Sequence, residues 1–243
     1  MTVSTHLNEI GQRVGAPLPE WKGVQRPPRM AMSGRYCRVE PIDSARHAEE
    51  LYRANALDPS KRHFTYLSIG PFDTFDAYRE WMASASRSVD PLFHAIIDAA
   101  TGKAVGIASY MRIDPANGVV EVGHLNYSPL LQRKPAATEA MYLMMKRAFE
   151  LGYRRYEWKC DSLNAASRTA AQRLGFSYEG VFRQASIYKG RNRDTAWYAT
   201  IDNEWPELER AFVRWLDPSN FDAHGIQRLR LSDLTAPTLQ KRG

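Results

Sequence analysis

The sequence contains few cysteines, no long apolar run and none of the common nucleotide-binding or hydrolase motifs. Its two cysteines, Cys37 and Cys160, form no zinc-binding spacing and are too few for a disulfide scaffold. It has no run of ~18 apolar residues, so it predicts no membrane span, and its first residues lack the apolar core of a signal peptide, which favours the cytoplasm. The Walker, GxGxxG, HExxH and GxSxG motifs are all absent. These absences disfavour a nucleotidase, a dehydrogenase, a metalloprotease or an α/β-hydrolase, and we expect no bound metal.

The composition is that of a globular protein with an excess of positive charge. The chain has 243 residues, of which 44% are hydrophobic and 25% charged, and its formal net charge is +6 at pH 7. Such a charge favours anionic partners, including nucleic acid. However, the sequence has no recognised nucleic-acid motif, and its aromatic residues are not interleaved with basic ones. We therefore expect no specific nucleic-acid partner.

The order of periodic segments predicts an α+β fold built on a mixed, mostly antiparallel central sheet that is flanked by helices. Strands are predicted over 36–40, 94–98, 104–112, 119–127, 153–161, 179–189 and 195–202, and helices over 44–55, 73–87, 136–151, 164–174 and 206–216. Asn117-Gly118 is a strong hairpin signal between two of the strands. The strand after the long helix is expected to run parallel to the strand before it. We divide the chain into an N-terminal extension (1–34), one domain (35–216) and a C-terminal tail (217–243).

A basic loop before the long helix is the best anion site in the sequence. It contains Gln132, Arg133, Lys134, Pro135, Ala136, Ala137 and Thr138. The first N–H groups of a helix lack internal partners and carry positive character, so phosphates bind there. Proline suits the first turn of a helix, although it cannot donate a hydrogen bond. By itself this signal is weak, because many helices follow a basic loop.

Asn164 and Ser167 stand three positions apart where a predicted strand ends and a helix begins. Ligands of open α/β sheets bind outside the carboxyl ends of strands, which makes this turn a candidate site. Asn164 is equally suited to be a plain helix N-cap. Ser167 has no histidine near it in sequence, so it is a poor candidate for a nucleophile.

Two motifs together resemble the GNAT superfamily of acetyl-CoA-dependent acetyltransferases, and more closely its ribosomal-protein N-acetyltransferase-like branch. They are GHLNYSPLLQRKPAATEA and YEWKCDSLNAASRTAAQRLGFSYEGVFR. The resemblance implies that the strand ending at Tyr127 splays from its parallel neighbour, and that the pantetheine arm of acetyl-CoA lies in the gap. Backbone from Leu125 to Tyr127 would pair with that arm and stabilise the oxyanion. Asn164 would bind the arm, and Ser167 would protonate the leaving thiolate.

The phosphate loop departs from the family pattern Q/R-x-x-G-x-G/A at one position. Gln132 and Ala137 match the pattern, but Pro135 replaces a glycine. The replacement removes one backbone donor, because proline has no N–H. The details of cofactor geometry are therefore expected to differ from those of the family, while the anion site itself is retained.

The catalytic base is left open by the sequence. Glu121 and His124 are candidates on the central strand, and activation through an ordered water is a further alternative. Side chains alternate along a strand, so these two residues should point to opposite faces unless a bulge intervenes. The resemblance implies direct acetyl transfer to a primary amine in a ternary complex, with a protein α-amino group or a small metabolite or antibiotic as acceptor. The alternative is an acetyl-CoA-binding module without turnover. The protein is expected to be a monomer or a homodimer.

Overall fold

A central sheet of eight strands dominates the fold. The computed structural model describes residues 5–243, and a separate two-stranded hairpin precedes this sheet in the chain. The strands are β1 Thr5–Leu7, β2 Arg13–Gly15, β3 Met32–Ser33, β4 Cys37–Pro41, β5 Leu92–Asp98, β6 Ala104–Asp114, β7 Val119–Tyr127, β8 Arg155–Asp161, β9 Ser177–Tyr188 and β10 Arg191–Ile201. The helices are α1 Ser44–Ala56, α2 Phe75–Arg87, α3 Pro135–Glu150, α4 Ala165–Arg173, α5 Trp205–Leu216 and α6 Leu231–Thr235.

The strand order in the sheet is β3-β4-β5-β6-β7-β8-β10-β9, and every neighbouring pair except β7–β8 is antiparallel. The prediction of a mostly antiparallel α+β sheet with one parallel pair is confirmed. The crossover between β7 and β8 is α3, and such a crossover is what a parallel pair requires. The sequence interpretation missed β1, β2 and β3, which are too short to show periodicity.

The two faces of the sheet are covered by different helices. On the first, which we call the α3 face, Val120, Val122 and Trp158 share a core with α3, α4 and α5. On the second, the α1–α2 face, Ile107 and Phe93 share a smaller core with those two helices. Successive residues of β7 and β8 therefore alternate between the two faces wherever the strands are regular.

Turn and cap chemistry explains where several elements begin or end. The Asp43 side chain accepts hydrogen bonds from the N–H groups of Ala45 and Arg46, so it is the N-cap of α1. Gly118 has φ +64° in the turn between β6 and β7, a conformation that suits glycine. Pro135 occupies the first turn of α3, where a missing N–H costs least.

A buried carboxylate ties α3 to the start of β4. The Glu139 oxygens accept hydrogen bonds from the backbone N–H groups of Arg35 (2.8 Å), Tyr36 (2.6 Å) and Cys37 (2.8 Å). A Cβ atom on Gly34 would stand 2.3 Å from the Glu139 carboxyl carbon, so this close approach requires glycine. The three donors compensate the loss of water around the charge.

Both segments outside 35–216 contact the domain. The Trp21 indole donates to the carbonyl of Ala116 at 2.7 Å, and Leu231 of α6 is fully buried in the main core. The N–H of Tyr178 donates to the carbonyl of Lys241 at 3.0 Å. The division into extension, domain and tail remains a prediction. In residues 5–243, no helix is long and apolar enough to cross a membrane.

Candidate active site

The parallel strands β7 and β8 separate halfway along their length. They pair from Val119 with Arg155 to Val122 with Trp158, and no pairing follows. Since β7 continues to Tyr127 and β8 to Asp161, their unpaired ends border an opening, which we call the strand gap. It provides free backbone N–H and C=O groups on both sides, the kind of surface to which an extended ligand binds. The predicted splay is thus present.

A β-bulge in β7 changes which face its side chains occupy. Asn126 pairs with Ile107 and Gly123 with Ser109, so β7 has an extra residue between these pairs, and His124 has φ +50°. The bulge brings His124 to the α1–α2 face, the face that Glu121 already occupies. His124 and Glu121 therefore lie on the same face of the sheet, although a regular strand would place them on opposite faces.

Glu121 is buried within an ion-pair network. Its Oε2 atom lies 2.6 Å from Nη1 of Arg112 and 3.0 Å from Nζ of Lys159, and Lys159 also contacts Glu157 at 2.7 Å. Burial raises the pKa of Glu121, while the two cations oppose that rise. The carboxylate is thus committed to two partners on one of its oxygens.

His124 is a poor proton acceptor in this setting. Its ring packs at 5.0 Å from the Phe93 ring, and its Nδ1 lies 3.1 Å from the Ser109 hydroxyl. Burial, with a smaller contribution from Arg112, lowers the pKa of His124 to about 4. The imidazole is therefore neutral at neutral pH and only weakly basic.

The loop before α3 offers unpaired N–H groups. Among the described contacts, the backbone N–H groups of Arg133 and Ala136 donate no hydrogen bond. The Arg133 and Lys134 side chains are exposed, whereas Ala136 is buried and Ala137 half-buried beside them. These groups suit a phosphate, since they combine free donors, two cations and small side chains.

The end of β7 is fixed to this loop. Nε2 of Gln132 donates to the carbonyl of Tyr127 at 2.8 Å, and the Thr138 hydroxyl accepts from Arg173 at 3.1 Å. Leu125 and Tyr127 pack against the core on the α3 face, and the Tyr127 hydroxyl is buried without a partner among the described residues. The strand gap and the predicted phosphate loop are therefore adjacent parts of one site.

Asn164 and Ser167 lie at the start of α4, on the other side of the gap. The Asn164 side chain accepts the N–H of Ser167 at 3.1 Å, which confirms Asn164 as a helix N-cap. The Ser167 hydroxyl accepts the indole N–H of Trp158 at 2.9 Å. Trp158 itself lies in the core of the α3 face.

Two residues on the α1–α2 face escaped the sequence interpretation. Asp161 ends β8 and is 5% exposed, and its Oδ2 accepts the Tyr188 hydroxyl at 2.9 Å. Asn126 is 2% exposed, and both polar atoms of its side chain lack partners among the described residues. Only the bulge and the approach of β9 reveal them, and neither feature leaves a local signal in sequence.

The segment between α1 and α2 covers this end of the sheet. It includes a short 3₁₀ turn over Arg62–Phe64, which contacts β7. The Phe64 carbonyl accepts Nζ of Lys189 at 2.7 Å, and the Tyr66 hydroxyl donates to the carbonyl of Leu163 at 3.3 Å. Segment 58–71 therefore joins the β9–β10 hairpin and the β8–α4 turn over the gap.

Comparison with known proteins agrees with this geometry. A family model described as the acetyltransferase (GNAT) domain matches residues 38–177. A GCN5-related N-acetyltransferase from Brucella melitensis is 47% identical, with a TM-score of 0.88, over 90% of this chain and 100% of that chain. A protein from Chromobacterium violaceum described as a probable acetyltransferase of the GNAT family is 41% identical, with a TM-score of 0.74, over 79% of this chain and 96% of that chain.

A more distant structure bears on the predicted branch. An acetyltransferase from Salmonella typhimurium that modifies the N-terminal serine of a ribosomal protein has a TM-score of 0.59 at 20% identity, over 69% of this chain and 96% of that chain. That likeness shows a shared fold alone. A comparison with curated proteins found no match.

The match to more than half of the chain, the high identity to the Brucella structure and the splayed, bulged strands lead to the same conclusion. The chain belongs to the GNAT family of N-acetyltransferases, whose members transfer an acetyl group from acetyl-CoA.

Proposed function

We propose that the protein transfers the acetyl group of acetyl-CoA directly to a primary amine, with both substrates bound together. The observation that carries this proposal is the strand gap beside a helix start that has free N–H groups. The gap suits an extended amide-bearing arm, and the helix start suits its phosphates. One continuous site can thus hold the whole cofactor.

On the cofactor side, each group has a proposed task. The N–H groups of Arg133 and Ala136, with the side chains of Arg133 and Lys134, bind phosphate, and the small Thr138 side chain borders them. Gln132 keeps the end of β7 in place, and Ala137 allows close approach. Backbone of Leu125 and Tyr127 pairs with the pantetheine arm, as does the Asn164 side chain. Acetyl-CoA supplies the activated thioester.

Transfer requires that protons and charges balance. The amine loses a proton and forms an N–C bond as the C–S bond breaks, and the departing thiolate gains a proton. The negative charge that develops on the carbonyl oxygen needs a preorganised donor, for which we propose a backbone N–H between Leu125 and Tyr127. The hydroxyl of Ser167 is the proposed proton donor to the thiolate, and the Trp158 indole orients it.

Glu121 and His124 are proposed to act on the acceptor side of the gap. Burial raises the pKa of Glu121, and the oxygen that neither cation contacts can hold an ordered water beside the amine. His124 is neutral and serves better as a hydrogen-bonding group than as a proton acceptor. Neither residue has the free carboxylate or basic imidazole that a direct base requires.

The acceptor is either a protein N-terminal α-amine or a small amine metabolite or antibiotic. The Salmonella protein's action on an N-terminal serine favours the first class, because the resemblance of the two motifs points to the same branch. The alternative function, acetyl-CoA binding without turnover, is favoured by one observation. Pro135 removes a donor from the phosphate loop.

The test is thiol release on mixing the protein, acetyl-CoA and a panel of amines, with calorimetry of acetyl-CoA binding in parallel. The panel contains serine-initiated peptides, polyamines and aminoglycosides. We expect one thiol released for each amine acetylated, with Ser167→Ala slower at unchanged acetyl-CoA affinity. Binding without release across the panel would establish the non-catalytic alternative. If calorimetry detects no acetyl-CoA binding, both proposals are wrong.

A further inference from the structure

Asp161 is a buried carboxylate that lacks a cationic partner. It is 5% exposed, yet it forms no ion pair with any residue in the described part of the chain. Its donors are the Tyr188 hydroxyl at 2.9 Å on Oδ2 and the Leu163 N–H at 2.9 Å on Oδ1. A carboxylate accepts about four hydrogen bonds, so about half of its capacity is unused. Buried charges are normally paired, so the unused acceptor capacity of Asp161 suits a positively charged ligand group.

Three other buried carboxylates are satisfied by cations or by backbone, whereas Glu204, at the start of α5 and away from the strand gap, also lacks a cation among the described residues and accepts the Thr200 hydroxyl and the Ile201 N–H. Glu121 is paired with Arg112 and Lys159, and Glu40 is paired with Arg38. Glu139 accepts three backbone N–H groups. Asp161 differs from these three in being buried with only a phenol and one amide as donors.

Asp161 borders the strand gap on the α1–α2 face. Tyr156, Trp158 and Cys160 of β8 face the α3 side, so Asp161, which alternates with them, faces the other way. It lies three residues beyond the last pair, Val122 with Trp158. On β7, Asn126 lies four residues beyond that pair, and the bulge takes up one of them. The two side chains therefore stand at the same level on opposite sides of the gap.

The surroundings suit a polar group that arrives from the α1–α2 side. Asn126 offers an amide with no partner among the described residues, and segment 58–71 closes over this end of the sheet. The nearest basic side chain on β10, Arg193, lies over the Tyr188 ring at 5.8 Å and hydrogen-bonds Thr195. The thioester would reach the gap from the α3 face, where Ser167 lies, and the acceptor from the opposite face.

We propose that Asp161 binds the ammonium group of the acceptor in the strand gap and takes up its proton, with Tyr188 holding the carboxylate in position. This assignment rests on the proposed acetyl transfer and names the base for it. Transfer of one ammonium proton to the carboxylate frees the lone pair with which the amine attacks the thioester. The substrate class is an amine that arrives as a cation.

The protons balance as follows. One ammonium proton moves to Asp161, and the free amine then forms the N–C bond while the C–S bond breaks. The thiolate receives the Ser167 proton, and the second amine proton, released as the amide forms, restores the Ser167 hydroxyl through water. The Asp161 carboxyl returns its proton to solvent when the product leaves. No oxidant, reductant or further reactant is needed.

The first experiment compares Asp161→Asn with Asp114→Asn. Asp114 accepts hydrogen bonds from Asn117 in the β6–β7 turn, at the opposite end of the sheet, so it is a matched change outside the site. We expect Asp161→Asn to lower kcat/KM for the amine by about 10²-fold or more while acetyl-CoA binding by calorimetry stays unchanged. Tyr188→Phe should lower it by roughly 3- to 10-fold, and Asp114→Asn should leave it unchanged. Wild-type kinetics in Asp161→Asn would overturn the proposal.

The second experiment measures binding rather than turnover, so it is decisive even if the chosen amine reacts poorly. Saturation-transfer NMR records contact of butylammonium with the protein in the presence of CoA, with butanol as the neutral control. We expect a signal for butylammonium in the wild type that is lost in Asp161→Asn and retained in Asp114→Asn. No butylammonium signal in the wild type, or an equal signal in Asp161→Asn, would overturn the assignment. A protein that fails to bind acetyl-CoA would instead refute the proposed function.

Discussion

The indole Nε1–H of Trp158 donates a 2.9 Å hydrogen bond to the hydroxyl oxygen of Ser167. Trp158 is the last residue of β8 that pairs with β7, whereas Ser167 lies in the first turn of α4. The bond therefore links the closed end of the strand gap to α4 on its far side. It also leaves the Ser167 proton free to point elsewhere, because the oxygen is the acceptor.

Loss of that bond should impair the orientation of Ser167 rather than its chemistry. We expect Trp158→Phe to lower kcat by roughly 3- to 10-fold and Ser167→Ala to lower it by about 10²-fold. In the double variant, the Trp158 change should have no further effect, because the group it orients is gone. Steady-state kinetics with saturating acetyl-CoA measures this. Fully additive losses would show that Trp158 acts independently of Ser167.

Asn164 caps α4, and it is also proposed to bind the cofactor arm; three substitutions separate these tasks. Asn164→Ser keeps an oxygen that can cap the helix, so the thermal midpoint should stay near the wild-type value while acetyl-CoA affinity falls. Asn164→Ala should lose both the cap and the contact with acetyl-CoA, and the loss of the cap should lower the free energy of unfolding by about 1 kcal/mol. Asn164→Asp is the control that keeps the cap oxygen at full length. Equal acetyl-CoA affinity in the wild type and Asn164→Ser would limit Asn164 to capping.

Arg133 combines a side chain suited to phosphate with a backbone φ of +61°, which favours glycine. Arg133→Gly should therefore weaken acetyl-CoA binding by roughly 3- to 10-fold without lowering the thermal midpoint. The loss should shrink at high salt, since exposed charges are screened. Lys134→Gln is the matched change without a backbone effect. A salt-independent loss in calorimetry would point to the backbone N–H groups instead of the charge.

The ion-pair network around Glu121 should contribute to stability. Glu121→Gln leaves Arg112 and the buried Lys159 short of a carboxylate, although Lys159 keeps Glu157. We expect a loss on the order of 2–3 kcal/mol in the free energy of unfolding, measured by urea denaturation. The exposed pair of Arg210 with Glu207 provides the control, and Glu207→Gln should change stability by less than about 1 kcal/mol. Similar values for both variants would contradict a buried network.

Stability should fall on acidification because of His94. Burial lowers the pKa of His94 to about 4 from the 6.5 of a free histidine, so the unfolded chain binds the proton first. The stability that this provides is complete above pH 6.5 and is lost as the pH falls towards 4. On the order of 1–2 kcal/mol should disappear by pH 5, and His94→Gln should flatten this slope. His224→Gln, at an exposed position, should leave the slope unchanged.

The features that the sequence predicted are those that depend on neighbouring residues. The hairpin at Asn117-Gly118 and the position of Pro135 follow from turn and helix-start chemistry within a few residues. The parallel pair followed from a helix between two strands. Element ends differ by one or two residues in most cases, because caps and frayed ends carry weak signals.

The parts that escaped prediction depend on contacts between distant segments. The face occupied by His124 depends on an extra residue opposite β6, and alternation alone gave the wrong side for a bulged strand. The closeness of Asp161 and Tyr188 depends on how β9 lies against β10. The cofactor-binding role of Asn164 and the proton-donating role of Ser167 stay predictions, because they depend on where the cofactor lies.

The contact of Glu139 with the start of β4 makes residues 35–37 necessary partners of α3. Three consecutive backbone amides, beginning at Arg35, compensate the charge of a side chain on α3, the helix that follows the predicted phosphate loop. Proteolysis or engineering that removes residues up to Gly34 leaves those donors in place. A cut three residues later removes all three donors and leaves the buried carboxylate without hydrogen bonds from them. At Gly34 even a methyl group would displace that carboxylate. A substitution at this glycine should therefore shift α3, and with it the loop that precedes the helix.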